Sequence, residues 1–296
     1  MRCISFFALS VASVITAHSA FGAGACAHRG DTMNAPENTI PAIVSAVRMG
    51  AHQIEIDAQS SSDGKLVLMH DDSVDRTTNG KGKVSELTFE ELRKLDAGSW
   101  FKPEFKGTKI PALEEALAVI PHEILCNVHI KGGPETSVPV ARLIEEMDRL
   151  DHCFFSIGAE AQEAMAAARA AVPGIMICTG FVIDKETVTQ ETANIDREVL
   201  ERYQKKYPQK KINRHIDLIQ LVYWATPIPR DTIEKSVRTL HQYNVKANFC
   251  CASEEEPLRT LIEAGADYIL TDNLALCLKL LKESGIEPVH TSKAQE

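Results

Sequence analysis

Two histidines near the start of the chain, His28 and His70, each follow a short apolar segment that predicts a β-strand. Between them, residues 53–57 alternate apolar and acidic side chains, so Glu55 and Asp57 share one face of a third predicted strand. Histidine exchanges protons near neutral pH, and two carboxylates on one face can bind a cation. Together these are the groups that metal-assisted phosphoryl chemistry needs, with one histidine as base and the other as acid.

The two carboxylates are the strongest candidates for metal ligands. Ile54 and Ile56 make the other face of their strand apolar, which argues against a solvated strand edge. Carboxylates on a buried face repel each other until protons or a cation neutralise them. We therefore expect Glu55 and Asp57 to hold one divalent cation, and their oxygen ligands favour Mg²⁺ or Ca²⁺.

Two basic residues also follow predicted strands. Arg29 comes directly after His28, and Lys131 ends the predicted strand 124–130 and precedes two glycines. A guanidinium can bind phosphate oxygens through two parallel hydrogen bonds, whereas an ammonium group acts as a point charge. We expect Arg29 and Lys131 to bind the phosphate of the substrate.

Predicted strands and helices alternate along the whole chain, which indicates a parallel sheet. About eight strand–helix units favour the α/β class and a (β/α)₈ TIM barrel, with an open doubly wound sheet as the alternative. The barrel is expected over residues 25–285, with a small insertion at 72–111 after the second and third strands, a charged and partly helical segment at 184–211 and a polar tail at 286–296. The active site of such a barrel lies at the C-terminal ends of its strands, where the sequence places His28, Arg29, Glu55, Asp57, His70, His129, Lys131 and Asp272.

Three polar residues precede predicted helices. Glu37 and Asn38 come before the helix at 40–49, where they could either cap its N–H groups or support the site. Asp272 comes before the last predicted helix, where we expect it to be a structural cap rather than a catalyst.

The N-terminal segment has the features of a secretory signal peptide. Arg2 precedes an apolar run at 4–15, and small residues follow at 17–23. The apolar run is shorter than the ~20 residues that a membrane-spanning helix needs. We expect residues 1–22 to be a signal peptide and the mature protein to be exported, either periplasmic or secreted. Cleavage is expected after Ser19, Ala20 or Gly22.

Composition narrows the possible partners and the roles of the cysteines. With 44% hydrophobic and 25% charged residues the chain is typical of globular proteins, and its net charge of −9 argues against a nucleic acid partner. The seven cysteines beyond the predicted signal peptide are odd in number, and no pair has the spacing of a zinc site. We expect them to be small buried hydrophobic side chains, and the sequence alone does not pair them.

Several short motifs occur in order along the first part of the chain. They are His-Arg-Gly at 28–30, Glu-Asn-Thr at 37–39, Glu-x-Asp at 55–57, Asp-Gly at 63–64, His-Asp at 70–71 and Arg-Thr-Thr-Asn-Gly at 76–80. In type, order and spacing they resemble the glycerophosphodiester phosphodiesterase family. The resemblance implies metal-dependent hydrolysis of glycerophosphodiesters to glycerol 3-phosphate and an alcohol. It also implies that the substrate's own glycerol hydroxyl attacks first and that water then opens a cyclic phosphodiester.

The same resemblance implies a role for each candidate residue. It gives proton transfer to His28 and His70, metal binding to Glu55 and Asp57, phosphate binding to Arg29 and Lys131, and a place at the rim of the site to Glu37 and Asn38. The matching residues are dense over 26–112, fewer over 124–131 and 261–273, and sparse over 180–215.

The chain departs from the family pattern at two places. His129 stands where the family has a third metal-binding glutamate, and strand alternation places it on the same face as Lys131. Imidazole is neutral and softer than carboxylate, so His129 as a ligand would also allow Mn²⁺ or Zn²⁺. The alternative is that His129 does not bind the metal and instead orients water or Lys131. The residues at 250–253, Cys-Cys-Ala-Ser, stand where the family often has Trp-Thr-x-Asn. Trp100 or Trp224 could replace that aromatic wall, or each could be a packing residue.

Two other functions are compatible with the sequence. A phospholipase C-like or D-like enzyme acting on intact lipids would use the same fold, and the aromatic pair at 100–101 favours it. A non-catalytic relative that binds phosphate or glycan would explain the departures, but the retained histidines and carboxylates argue against it. The expected partner is a small glycerophosphodiester, with no membrane contact beyond a possible lipid substrate. The sequence leaves the head group and the oligomeric state open.

Overall fold

The computed structural model describes residues 23–158, 161–181, 217–222, 228–242 and 245–290. The strands are β1 (Gly24–Ala27), β2 (Gln53–Ser60), β3 (Leu66–Leu68), β4 (Leu125–Ile130), β5 (Cys153–Gly158), β6 (Met176–Phe181), β7 (Asp217–Val222), β8 (Val245–Cys250) and β9 (Tyr268–Thr271). The helices are α1 (Ile40–Met49), α2 (Phe89–Lys94), α3 (Leu113–Val119), α4 (Pro134–Glu146), α5 (Gln162–Ala171), α6 (Arg230–Gln242), α7 (Glu255–Glu263) and α8 (Leu274–Glu283).

All strands except β3 form a closed parallel barrel. Their order in the sheet is β1-β9-β8-β7-β6-β5-β4-β2, and β1 also pairs with β2, which closes the ring. Each of these pairings is parallel, as expected when helices connect successive strands. The predicted (β/α)₈ TIM barrel is confirmed, and the open doubly wound sheet is excluded.

β3 lies outside the barrel as the second strand of a hairpin. It pairs antiparallel with β2, so that Ala58 lies opposite Leu68 and Ser60 opposite Leu66. The sequence predicted the hairpin but treated the end of β3 like the end of a barrel strand. Instead, β3 runs antiparallel to β2, so the residues that follow β3 do not leave from the C-terminal end of a barrel strand.

β2 separates the hydrophobic core from the interior of the barrel. Ile54 and Ile56 belong to the hydrophobic cluster between strands and helices, while Glu55 and Asp57 alternate with them and face inward. The preceding helix, α1, packs its apolar face on the outside of the barrel. These alternations position acidic side chains inside the barrel without exposing the core.

The insertion at 72–111 builds a small core of its own. It contains α2 and two 3₁₀ turns, and Thr88 and Glu91 form a reciprocal capping box at the start of α2. A second hydrophobic cluster joins it to the hairpin, formed by Val67, Met69, Val74, Val84, Leu92, Ala97 and Ile110. This cluster fixes the segment that follows β3 and therefore the position of His70.

The C-terminal segment packs further than the sequence predicted. Ile286 and Val289 contact the main hydrophobic cluster, and the Val289 N–H donates to the Gly50 carbonyl at 2.9 Å. These two apolar side chains cover the end of α1, so packed residues continue beyond the predicted limit of the barrel at 285. The predicted signal peptide, the segment at 184–211 that was predicted to be partly helical, and residues 291–296 lie outside the described residues. Within the described ranges, none of the helices combines the length and apolar character needed to cross a bilayer.

Candidate active site

Two buried carboxylates face two cations at the C-terminal ends of β2 and β4. The register of these strands pairs Asp57 with His129, and Lys131 follows β4. One oxygen of Asp57, Oδ1, lies 3.2 Å from Nδ1 of His129 and 3.3 Å from Nζ of Lys131. Glu55 Oε1 lies 3.6 Å from the same His129 nitrogen. Both carboxylates are almost fully buried, so their charges must be balanced locally.

These groups fit a divalent cation. One ligand atom each from Glu55, Asp57 and His129 lies within 4.8 Å of the others. The buried Oδ1 of Asp57 lies within ion-pair distance of His129 and Lys131 but accepts no well-aligned hydrogen bond from a described residue, so it can turn an electron pair to a ligand. Two carboxylate oxygens and one imidazole nitrogen suit Mn²⁺ or Zn²⁺ as well as the harder Mg²⁺.

In the absence of a metal, the buried carboxylates Glu55 and Asp57 and their cationic neighbours shift the pKa values of the groups at the site. Burial raises the pKa of Asp57, but its contacts with His129 and Lys131 outweigh burial and hold that pKa well below its usual range. Burial lowers the pKa of His129, but its contacts with the two carboxylates outweigh this and raise it to about 9. In the metal-free protein His129 is therefore a cation at neutral pH, and a metal must displace its proton.

A second group with metal-ligand side chains lies at the opposite end of the barrel. His122 precedes β4, and Asp151 and His152 precede β5. Arg149 Nη1 lies 3.0 Å from Nε2 of His152. Because a guanidinium only donates, that nitrogen accepts and Nδ1 carries the proton, which it donates to Asp151 at 2.9 Å. This histidine is engaged on both nitrogens, so the cluster is a hydrogen-bond network rather than a metal site.

His28 is positioned by the closure of the barrel. The register of β1 and β9 pairs Ala27 with Thr271, which brings His28 beside Asp272. Nδ1 of His28 lies 2.7 Å from Oδ1 of Asp272. Burial lowers the pKa of His28, but the hydrogen bond to Asp272 and the charge of Glu55 raise it above 6.5. Nε2 is then the ring nitrogen that points away from Asp272 and can meet a substrate.

The expected capping role of Asp272 is wrong. The cap of α8 is the next residue, Asn273, whose Oδ1 accepts a hydrogen bond from the Leu276 N–H at 3.2 Å. Asp272 instead orients His28. The sequence contained a usable signal, since the last strand of a closed barrel always neighbours the first.

Replacing Asp272 by asparagine should lower the pKa of His28, because the charged hydrogen-bond acceptor that favours the imidazolium is lost. The pKa is measured from the ring proton shifts of His28 in an NMR titration, with His28→Asn used to assign the signal. Asp75→Asn, a change in the insertion, serves as the control and should leave the titration unchanged. An unaltered pKa in Asp272→Asn would contradict this role.

His70 reaches the site through the hairpin rather than from the end of a barrel strand. The Met69 N–H donates to the Asp57 carbonyl at 3.1 Å, so the chain reaches His70 alongside β2 at the level of Asp57. The Gln59 side chain holds this turn by donating to the carbonyls of Met69 and Asp71, at 2.9 and 2.7 Å. Nδ1 of His70 lies 2.7 Å from Oδ1 of Asp71, which orients the ring.

A chain of ion pairs connects the surroundings of the two histidines. Arg76 donates to Asp71 at 2.6 Å and to Glu37 at 2.8 Å. Glu37 in turn accepts a hydrogen bond from Arg29 Nη1 at 3.0 Å, and Arg29 Nε lies 3.5 Å from Asp57. Asp71 and Arg76 belong to the His-Asp and Arg-Thr-Thr-Asn-Gly motifs, but neither residue was assigned a role from the sequence. Sequence spacing does not indicate this ion pair, because Arg76 lies in the insertion and Glu37 lies 39 positions earlier, before α1.

Glu37 and Asn38 support the site and do not cap α1. The cap is Thr39, whose hydroxyl accepts from the Ala42 N–H. Asn38 makes two hydrogen bonds with Asp57, donating to Oδ2 at 2.8 Å and accepting from its N–H at 2.9 Å. Its left-handed backbone, with φ of 55°, turns the side chain toward β2. Asn38 therefore fixes one oxygen of Asp57 and leaves the other facing His129.

Replacing Glu37 by alanine should lower the free energy of unfolding by ~2 kcal/mol, because Arg29 would remain mostly buried without this partner. Glu90→Ala is a suitable control, since it removes only an exposed pair with Lys94 on α2 and should change stability by less than ~0.5 kcal/mol. Urea denaturation of both variants measures the difference. Equal effects would mean that the ion-pair chain does not stabilise the fold.

Comparison with known proteins agrees with this geometry. Residues 28–276 match the model of the glycerophosphoryl diester phosphodiesterase family. A glycerophosphodiester phosphodiesterase from Caldanaerobacter subterraneus is 51% identical over 108 residues, covering 36% of this chain and 44% of that protein. One from Bacillus subtilis is 48% identical over 99 residues, covering 31% of this chain and 34% of that protein. The matched segment thus spans less than half the length of these curated relatives.

Solved structures share the fold over nearly the whole chain. An Oleispira antarctica phosphodiesterase in complex with the product sn-glycerol-3-phosphate has a TM-score of 0.67 at 22% identity, covering 90% of this chain and 98% of that chain. An Agrobacterium tumefaciens glycerophosphodiester phosphodiesterase also has a TM-score of 0.67 and covers 86% of this chain. At this identity the likeness concerns the fold, while the family model covers most of the sequence. The chain belongs to the glycerophosphoryl diester phosphodiesterase family.

Proposed function

We propose that this protein hydrolyses glycerophosphodiesters to sn-glycerol 3-phosphate and an alcohol with the aid of one divalent cation. The observation that carries the proposal is the convergence of His28, His70 and the buried pair Glu55 and Asp57 at one end of the barrel. The product complex of the Oleispira antarctica relative supports the same substrate class.

His28 and His70 divide the proton transfers between them. A base must remove the proton of the attacking hydroxyl, and an acid must protonate the departing alkoxide oxygen. The hydrogen bond to Asp272 raises the pKa of His28 and favours its protonated form, so we assign His28 as the acid. His70, oriented by Asp71, is then the base.

The charges at the site suit a phosphodiester. Lys131 and Arg29 lie within ion-pair distance of Asp57 and can turn toward phosphate oxygens as the substrate enters. A cation held by Glu55, Asp57 and His129 would supply positive charge for the developing negative charge on phosphorus-bound oxygens.

The reaction proceeds in two steps in this proposal. First, a glycerol hydroxyl of the substrate loses its proton to the base and attacks phosphorus, while the head-group alcohol leaves with the proton of the acid. The product of this step is a cyclic phosphodiester. Water then opens the ring with the two histidines in exchanged roles, which restores both protonation states.

The test is release of glycerol 3-phosphate by chelator-treated protein with glycerophosphocholine, glycerophosphoethanolamine and glycerophosphoinositol. Mg²⁺, Ca²⁺, Mn²⁺ and Zn²⁺ are returned one at a time, and His28→Ala provides the blank. Turnover that depends on an added metal and disappears in the blank would support the proposal. Release of a diacyl product from intact phospholipid, without turnover of the deacylated substrates, would favour the phospholipase alternative.

The geometry gives little support to action on intact lipids. In the described part of the chain, Trp100 and Met33 are the exposed large hydrophobic side chains. Trp100 donates a hydrogen bond to the Ala97 carbonyl at 2.9 Å and packs edge-on against Phe101, which anchors it in the insertion. Trp224, the other candidate for an aromatic wall, lies outside the described residues.

We further propose that the protein is exported. The support is the signal-like composition of residues 1–22. N-terminal sequencing of the protein from its native host should give a mature chain that begins at Ala20, Phe21 or Ala23. Recovery of the intact chain, starting at Met1, from the cytoplasmic fraction would contradict export.

A further inference from the structure

Two adjacent cysteines, Cys250 and Cys251, occupy the C-terminal end of β8 and the residue after it. Their sulfur atoms are in contact, 2.6 Å apart. Both side chains are partly exposed, whereas the five other cysteines in the described ranges are buried. The expectation that all cysteines are small buried hydrophobic residues is therefore wrong for this pair. A small thiol reagent can reach these two and not the others.

The pair lies in the wall of the active site. The register places Cys250 opposite Leu270, and Leu270 opposite Cys26, two residues before His28. Along β8, Ala247 and Phe249 belong to the hydrophobic cluster between strands and helices, so alternation turns Cys250 toward the interior of the barrel. Its side chain therefore faces the same interior space as the proposed catalytic groups.

The backbone that follows the pair holds the partner of His28. The Ala252 N–H donates to the Leu270 carbonyl at 3.1 Å, and the Asp272 N–H donates to the Ser253 hydroxyl at 3.1 Å. Asp272 in turn orients His28. A change in the backbone at 250–253 is thus transmitted to His28 through two hydrogen bonds.

We propose that Cys250 and Cys251 are a modification site at which a small-molecule disulfide oxidises the two thiols to a vicinal disulfide. A thiolate of the pair attacks the reagent disulfide and releases one reagent thiol. The second thiolate then attacks the mixed disulfide, forms the bond between the two cysteines and releases the second reagent thiol. One reagent disulfide gives two reagent thiols, so the two electrons and two protons of the dithiol are accounted for.

The disulfide is expected to be reversible. Neighbouring residues hold their Cα atoms closer than the ~4.4–6.8 Å usual for disulfides, so the ring formed by two adjacent cysteines is strained and easily reduced. Cys126 and Cys153 also lie opposite each other, on β4 and β5, but both are fully buried and inaccessible to the reagent. Of these two pairs, Cys250 and Cys251 are therefore the one that the reagent disulfide can oxidise.

The consequence for catalysis rests on the proposed function, whereas the modification itself does not. Closing the ring shortens the separation of the two sulfur atoms from 2.6 Å to about 2.05 Å and restrains residues 250 and 251, and we expect this to shift the Ser253 hydroxyl relative to Asp272. His28 then loses its orientation. Oxidation should lower turnover by about tenfold or more, because small displacements of positioned catalytic groups have effects of this size.

The experiment exposes the full-length mature protein to glutathione disulfide and dithiothreitol at a series of ratios. Intact mass and peptide mapping after thiol alkylation report the modification, and NMR of the His28 ring reports its surroundings without any substrate. Hydrolysis of glycerophosphocholine is followed in parallel. A double variant, Cys250→Ser with Cys251→Ser, is the matched control.

The expected result has three parts. The native protein loses two hydrogens in mass, the bond maps to residues 250 and 251, and both the His28 signal and turnover change and recover with dithiothreitol. The double variant shows none of these changes. Retention of both thiols under oxidising ratios, or a bond that maps to other cysteines, would overturn the modification site. A mapped bond with an unmoved His28 signal would overturn the link to catalysis, whether or not any substrate is turned over.

Discussion

Replacing His28 or His70 by asparagine should lower kcat for glycerophosphocholine by roughly 10²–10⁴-fold, the contribution expected of a positioned general acid or base. Asparagine keeps a polar side chain of similar reach but transfers no proton near neutral pH. The effect should appear in kcat more than in KM, because both groups act on protons that move in the transition state. Steady-state kinetics of the two variants with the preferred metal measures it.

The pH profile separates the two histidines further. The acid must be protonated, and the pKa of His28 is raised by Asp272, so activity should fall only when the pH rises through this raised pKa. In Asp272→Asn that alkaline decline should begin at lower pH. His122→Asn, a change at the opposite end of the barrel, is the matched control and should leave kcat unchanged. Full activity in either His28→Asn or His70→Asn would remove that residue from the proposed chemistry.

The features that follow from local spacing were predictable from the sequence. Alternation along 53–57 placed Glu55 and Asp57 on one face, and the register of β2 and β4 then set His129 beside Asp57 as strand geometry requires. Repeated strand–helix units likewise indicated a closed parallel barrel. The shared face of Glu55 and Asp57 and the type of each element depend on residues within a few positions of one another, whereas the pairing of Asp57 with His129 depends on the order of the strands in the barrel.

The contacts that the sequence did not predict join distant parts of the chain. His28 and Asp272 are separated by 244 positions, and only the pairing of the first and last strands brings them together. Arg76 meets Glu37 because the insertion folds over the start of α1. Capping was one of two roles left open for Glu37 and Asn38, and the expected role of Asp272, because a polar residue before a helix has that local explanation. In each case a tertiary contact uses the side chain, and the adjacent Thr39 or Asn273 caps the helix.

Replacing His129 by glutamate should increase the affinity for Mg²⁺ by roughly 100-fold near pH 7. With a pKa of about 9, only about one His129 ring in a hundred is neutral at that pH, and a protonated ring cannot bind a metal. Glutamate is ionised at neutral pH and adds a hard oxygen ligand. Isothermal titration calorimetry of chelator-treated protein gives both affinities. Comparable affinities in the two proteins would show that His129 is not a ligand.

The dependence on pH provides a second test, because loss of the His129 proton raises the metal affinity but lowers the stability of the metal-free fold. As the pH rises toward 9, His129 loses its proton and the metal affinity of the native protein should rise by about tenfold per unit. The raised pKa stabilises the metal-free fold below pH 6.5, and this stabilisation is lost as the pH rises through about 9. The increase in Tm caused by metal should therefore grow with pH in the native protein and stay nearly constant in His129→Glu. A constant increase in both would mean that metal and proton do not compete for this ring.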